Sequence, residues 1–241
     1  MRLRLAWASD PGLRREHNED SVYVGKNVGK LDALLVVADG MGGHASGQVA
    51  SRIVAETVAD RMKGYGSIAG ERLASALAQA NTAVFEASRA TAEHAGMGST
   101  LVLAAIKSGR LGLLNVGDSP AYLVRSGTVT EIYQNHNWPS EQARAGIISP
   151  EAARNHPMKH RLARAVGVWD EVKGYTNELE LQKGDIVVLC SDGVEEASVG
   201  TDELRRIMEG PDLQAACDRL IELCRERGAP DNVSIAAVRV E

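Results

Sequence analysis

The feature that most limits the folds open to this chain is that its apolar runs stop at aspartates. LLVVADG (34–40), LLNVGDS (113–119) and IVVLCSDG (186–193) each carry an apolar stretch into an Asp followed at once by Gly or Ser. Asp20 in HNEDSVYV and Asp231 in APDNVSIAAV stand at the entrance of two further runs. Short apolar runs bounded by turn residues read as strands. Five carboxylates, Asp20, Asp39, Asp118, Asp192 and Asp231, are therefore expected at strand ends, held by rigid elements yet open to solvent.

The remaining pattern places strands at about 3–9, 20–25 and 33–38. Two helices follow, the first with Val49, Ile53, Val54, Val58 and Met62 at helical spacing, the second with Leu73, Leu77, Ala80, Val84 and Ala87. Gly64, Gly66 and Gly70 fall between them. Strands near 99–107, 110–117, 120–125 and 128–133 come next, and the Ser-Gly pairs at 108–109 and 126–127 predict hairpins. Residues 138–165 lose the strand pattern and read as a short-helix insertion; strands at 175–181 and 185–190, helices at 201–209 and 212–227 and a strand at 233–240 close the chain. Strands and helices come in runs, which favours α+β with antiparallel sheets over a doubly wound parallel sheet. With 241 residues, one domain spanning 1–241 is expected.

Charge and composition remove several classes of function. Lys and Arg number 27 against 32 Asp and Glu, a net charge of −5 that does not suit a general nucleic-acid surface. No apolar run approaches the roughly 20 residues that span a bilayer. The basic start MRLRLAWASDPG meets a charge and a Pro-Gly turn before an apolar signal core can form. A cytoplasmic protein without membrane contact is the expectation. Cys190, Cys217 and Cys224 include no paired CxxC, so they suggest core packing instead of a disulfide framework or a thiolate zinc site.

Taken singly, each Asp could simply turn the chain. Gathered at one sheet edge, however, the carboxylates would repel strongly unless cations lay between them. A donor set of hard oxygens selects Mg²⁺ or Mn²⁺ over zinc or copper. Gly40, directly after Asp39, would let the backbone approach closely and offer its carbonyl as a further ligand. A structural calcium site would look similar, so the neighbouring groups matter. Arg15 could present a two-pronged guanidinium to a phosphate dianion. His44, in DGMGGHASGQ at the start of the first long helix, could protonate a leaving oxygen. Together these are the parts for metal-assisted hydrolysis of a phosphate ester.

The set RREHNED (14–20), VVADGMGGHASG (36–47), MGSTLVLAAI (97–106), NVGDS (115–119), LCSDGVEE (189–196) and APDNVSIAAV (229–238) resembles the metal-dependent Ser/Thr protein phosphatases of the protein phosphatase 2C family, in the small bacterial form. The resemblance implies a four-layer αββα sandwich, two packed antiparallel sheets flanked by pairs of helices. It implies two catalytic Mn²⁺ or Mg²⁺ ions, with Asp39 bridging them, the Gly40 carbonyl on one, Asp192 and Asp231 on the other, and Asp20 acting through coordinated water. Asp118 with Asp192 matches the place of a third, weaker ion. Arg15 would hold the substrate phosphate, His44 would be the general acid, and a metal-bridging hydroxide would attack phosphoserine or phosphothreonine on proteins. The stretch 138–165 would form a flap beside the site, with His160 among the substrate-binding residues. The implied protein is a monomer opposing a Ser/Thr kinase; the other readings are an inactive phosphoprotein-binding module and a small phosphate-ester phosphatase on the same fold.

Three positions depart from the family pattern. Pro120 stands where Arg often follows GDS, Asn135 replaces the acid of an Asp-His pair, and Gln48 replaces a common Glu. The flap carries Arg144, Arg154, Lys159, Arg161 and Arg164 against Glu141 and Glu151. Together with His156 and His160, this basic bias is expected to attract phosphorylated segments.

Overall fold

The computed structural model describes every residue of the chain except 44 and 45. Strands β1 (Leu3–Asp10), β2 (Asp20–Val28) and β3 (Leu31–Met41) lead into helices α1 (Ser46–Tyr65) and α2 (Gly70–Ala90). Helix α1 runs through Gly64, so the break lies later than the glycine spacing predicts. Next come β4 (Gly98–Ser99), β5 (Leu101–Lys107), β6 (Arg110–Val116), β7 (Ala121–Arg125) and β8 (Thr128–Glu131). The insertion contains two short helices, α3 (Trp138–Arg144) and α4 (Pro150–Arg154), whose first turns are capped by Asn137 and Ser149. The chain ends with β9 (Tyr175–Glu180), β10 (Ile186–Cys190), α5 (Gly193–Glu196), α6 (Thr201–Met208), α7 (Leu213–Glu226) and β11 (Val233–Val240). The sequence pattern does not announce α5, a single turn directly after Asp192.

All strand pairs are antiparallel, in two sheets of order β1-β11-β10-β7-β8 and β2-β3-β5-β6-β9, with β4 paired to β3. The continuous apolar runs have a direct cause. Strand side chains alternate between faces, and both faces of the central strands are covered. In β3, Leu34, Val36 and Ala38 pack with α1 and α2, while Ala33, Leu35 and Val37 pack between the sheets. In β10, Ile186, Val188 and Cys190 pack with α5, α6 and α7, and Val187 and Leu189 enter the same inter-sheet layer. The result is the expected four-layer αββα sandwich. Truncating Leu35, wholly buried in the middle layer, should cost on the order of 2–5 kcal/mol.

Cys190, Cys217 and Cys224 are free and buried, as core packing requires. Among the described residues no helix is long and apolar enough to cross a membrane.

Candidate active site

The alternation that builds the middle layer also places its terminal carboxylates. Asp39 continues the phase of Leu35 and Val37 to the end of β3, and Asp20 begins β2 in the phase of Val22 and Val24. The two are direct partners in the β2–β3 register. Like charges opposite each other on one sheet face are unfavourable, yet the backbone fixes this pair firmly. The Asp39 amide donates to Thr100 Oγ1 at 2.9 Å, and its carbonyl accepts from the Thr100 amide at 2.8 Å and from Ser99 Oγ at 3.0 Å. Thr100 Oγ1 also lies 2.6 Å from Ser119 Oγ, which ties Asp39 to the turn carrying Asp118.

Asp192 and Asp231 arrive from the other sheet, at the exit of β10 and the entrance of β11. With Asp39 and Asp118 they line one cleft of about 690 Å³. Asp20 lies beneath it, its Oδ2 accepting from Ser191 Oγ at 2.8 Å. Oδ1 of Asp20 and Oδ1 of Asp192 are buried with no hydrogen-bond partner among the described residues. Burial, followed by repulsion from Asp20, Asp192 and Asp118, pushes the Asp39 carboxyl well above the ordinary range. Burial and Asp118 do the same to Asp192. Burial raises Asp20 to about 6 against the hydrogen bonds that favour its charge, and raises Asp118 to about 7, with Glu195 and Glu196 adding to the effect. Uncompensated carboxylates and orphaned oxygens are what an oxygen-ligated divalent cation would satisfy, so the donor set fits Mn²⁺ or Mg²⁺.

Gly40 is required by space. A Cβ there would lie 2.0 Å from the Gly47 carbonyl oxygen and 2.6 Å from that of Glu19, so β3 can approach the start of α1 only with glycine. Gly40 lines the cleft. Arg15, half exposed, reaches across from the loop before β2 to bond Asp231 Oδ2 at 2.6 Å. His44 lies outside the described residues. His160 extends from the flap with Nδ1 3.0 Å from Glu196 Oε1. It joins Asp192 and Glu196 in a group whose ligand atoms all lie within 4.8 Å of one another.

Several contributors escaped the sequence reading. Asn232 accepts from the Glu19 amide at 2.8 Å and donates to the carbonyls of Pro11 and His17, both at 2.9 Å. It thereby fastens the Arg15 loop to the strand entrance that carries Asp231. Its adjacency to Asp231 was the available signal. Ser191 and Thr100 gave less, since short polar residues at strand ends usually only close turns, and Glu196 sits in the unannounced turn α5.

The departures are accommodated locally. Gln48 is exposed on α1. Asn135 accepts from the Asn137 amide at 2.9 Å and turns the chain into α3. His136 is fully buried, and burial together with Arg164 lowers it to about 4, which keeps the imidazole neutral. Pro120 accepts from the Cys190 amide at 3.0 Å. The flap charge is less available than its composition implies: Glu141 pairs with both Arg144 and Arg164, at 2.5 and 2.9 Å. Arg161 faces the main cleft, while Arg154 and Lys159 border a cavity of about 160 Å³ that also touches Asp118 and Asp192.

The chain is similar in sequence and in fold to known proteins. The sequence model of the family described as Protein phosphatase 2C matches residues 14–234. The serine/threonine protein phosphatase PstP of Mycobacterium tuberculosis is 36% identical over 241 residues, covering 99% of this chain, which spans only 45% of that protein's length. The serine/threonine phosphatase stp of Listeria innocua is 32% identical, with 98% of this chain and 95% of that protein covered. Among solved structures, the catalytic domain of serine threonine protein phosphatase PstP in complex with 2 manganese ions matches with a TM-score of 0.84 at 35% identity, over 99% of each chain.

Proposed function

The chain belongs to the protein phosphatase 2C family, and on that premise we propose that it is a Mn²⁺- or Mg²⁺-dependent enzyme hydrolysing phosphoserine and phosphothreonine on proteins. The observation that carries this is the register pair of buried Asp20 and half-buried Asp39, joined by Asp118, Asp192 and Asp231 around one cleft. Asp39, the Gly40 carbonyl, Asp192 and Asp231 would hold two ions, with Asp20 contributing through water, and Asp118 with Asp192 a third. Bound there, such ions supply charge neutralisation at phosphorus and an activated water as nucleophile.

The remaining roles fall to the chain. Arg15 carries five donors and commits one nitrogen to Asp231, leaving its fork able to hold phosphoryl oxygens. Asn232 fixes the loop that delivers it. His44 would donate a proton to the leaving Ser or Thr oxygen. His160 and the flap would contact the phosphorylated segment. In this reading residues 1–241 act as one catalytic domain, as a cytoplasmic monomer that reverses a Ser/Thr kinase.

The retained carboxylates support turnover over an inactive binding role. The test is release of phosphate from a phosphothreonine peptide with Mn²⁺, run beside free nucleotides. Hydrolysis of the peptide, lost with chelator and in Asp39→Ala, is the expected result. Normal activity in Asp39→Ala, or cleavage of nucleotides alone, refutes the assignment.

A further inference from the structure

One wall of the cleft is apolar, and it is built with unusual care for a surface loop. Residues 167–170 are clamped by Asn81, a side chain of α2 that is 1% exposed. Its Oδ1 accepts from the Gly167 amide at 2.7 Å, and its Nδ2 donates to the carbonyls of Trp169 and Asp170, both at 2.9 Å. Gly167 takes φ +85°, and a Cβ there would lie 2.1 Å from Val84 Cγ1, so the loop can sit this close to α2 only with glycine. The Val168 and Met41 side chains both close over Gly98, where a Cβ would lie 2.7 Å from Val168 Cγ2 and 2.8 Å from Met41 Cε. This fixed loop presents Trp169 at 46% exposure on the lip of the cleft that holds the carboxylates.

An exposed indole on a loop locked by three hydrogen bonds is a preformed apolar platform, and ordering it costs little on binding. The wall continues outward. Gly96 and Val168 border both the cleft and a neighbouring groove of about 510 Å³. Among the described residues Arg89 is the single charged one lining that groove, and its guanidinium lies 5.3 Å from the Phe85 ring centroid. A chain whose phosphorylated residue reaches Asp39 and Arg15 must leave the cleft past one of its walls. The flap brings His160 and Arg161 to the cleft beside Leu162 and Ala165; the Val168–Trp169 wall is apolar and leads into a groove.

We propose that Trp169 is a specificity-determining residue. The substrate segment on one side of the phosphorylated residue crosses Val168 and Trp169 into the groove beside Phe85, and an apolar side chain next to the phosphoresidue packs on the indole. This rests on the phosphoprotein phosphatase reading and names its preferred substrate: phosphothreonine or phosphoserine with a neighbouring apolar residue. Trp169 takes no part in the bond-breaking step.

The experiment uses two phosphothreonine peptides that differ only in the flanking residues, Leu or Phe in one and Ser in the other, together with p-nitrophenyl phosphate. The wild-type chain should favour the apolar peptide. Trp169→Ala should lower kcat/KM for that peptide on the order of tenfold, chiefly through KM. It should leave the Ser peptide and the aryl phosphate unchanged. In a Trp7→Phe, Trp138→Phe chain, Trp169 is the sole indole, and its emission should shift to the blue with the apolar peptide alone. Equal losses on all three substrates, an unchanged peptide preference, or no emission shift overturns the inference while leaving the phosphatase reading intact. An emission already blue-shifted in a concentration-dependent dimer also overturns it, since a second copy would then cover the lip. A chain that cleaves the aryl phosphate but neither peptide overturns the phosphoprotein reading itself, and the inference with it.

Discussion

Asp20 and Asp39 face each other across the β2–β3 pair, at the end of a sheet face whose Val22, Val24, Leu35 and Val37 pack in the apolar layer between two sheets. The fold thus holds two carboxylates where it gains nothing from their charge. Without metal, that arrangement is a stability cost. The folded-state pKa values are raised, to about 6 for Asp20 and about 7 for Asp118 from an ordinary 3.8. Below about pH 4 both the folded and unfolded chains hold these protons, and the cluster costs nothing. As pH rises from about 4 towards 7 the unfolded chain releases these protons while the folded chain still holds them, so stability falls across that range and levels off above it. In chelator, the cluster should lower Tm between pH 4.5 and 7.5. Asp39→Asn, which removes the central charge, should raise the metal-free Tm at pH 7.5 by about 2–4 °C for each kcal/mol relieved. A thermal melt of both proteins in EDTA across this range checks the sign. An Asp39→Asn protein less stable at pH 7.5 than the parent would contradict the repulsion argument.

Cations that satisfy the same carboxylates should reverse that cost. A ligand that binds only the folded state at 100 times its Kd adds about 2.7 kcal/mol, roughly 5–10 °C in a protein of this size. Titrating Mn²⁺ at pH 7.5 while following Tm should show that rise in the parent chain and little of it in Asp39→Asn. Phosphatase activity should disappear over the same range of chelator in which the Tm gain is lost.

Ser191 makes a narrower prediction. Its hydroxyl donates to Asp20 Oδ2 and in turn accepts from the Ser234 amide at 2.9 Å, so it orients a carboxylate whose other oxygen is unpartnered. Groups that orient metal ligands typically matter 10- to 100-fold in affinity. Ser191→Ala should raise the Mn²⁺ concentration giving half-maximal thermal shift by about tenfold, and Ser191→Thr, which keeps the hydroxyl, should restore most of it. An unchanged Mn²⁺ midpoint in the alanine variant would show that the backbone alone positions Asp20.

Much of this geometry was legible because strand alternation has a period of two. The unbroken runs before Asp39 and Asp192 signalled strands buried on both faces, and Asp39 then had to emerge at the edge of the inter-sheet layer. Pairing was not legible. Nothing in the local pattern says that Asp231 enters beside Asp192 or that Asp20 lies opposite Asp39, because register is a long-range property set by the packed faces. The Asn81 clamp was hidden for a similar reason: a lone Asn in an amphipathic helix usually faces solvent, and its partners lie 86 to 89 residues away in sequence. For the flap, the net basic bias already counted Glu141 and Glu151, but which cations Glu141 engages, Arg144 and Arg164, only the folded arrangement reveals.

That pairing sharpens the prediction for the flap. With Arg144 and Arg164 held by Glu141, the cations free to act on an approaching phosphoprotein are Arg154 and Lys159 at the second cavity and Arg161 at the main cleft. Reversing Arg154 and Lys159 to Glu should raise KM for a phosphothreonine peptide about threefold or more, since exposed pairs are individually weak, and should leave p-nitrophenyl phosphate nearly unaffected. Charges at this distance are screened over about 8 Å at physiological salt, so the difference between parent and variant should shrink as salt is raised to 1 M. Steady-state kinetics with both substrates at low and high ionic strength makes the comparison. Equal effects on the two substrates, or a peptide effect indifferent to salt, would remove the electrostatic role of the flap and leave its contribution to shape alone.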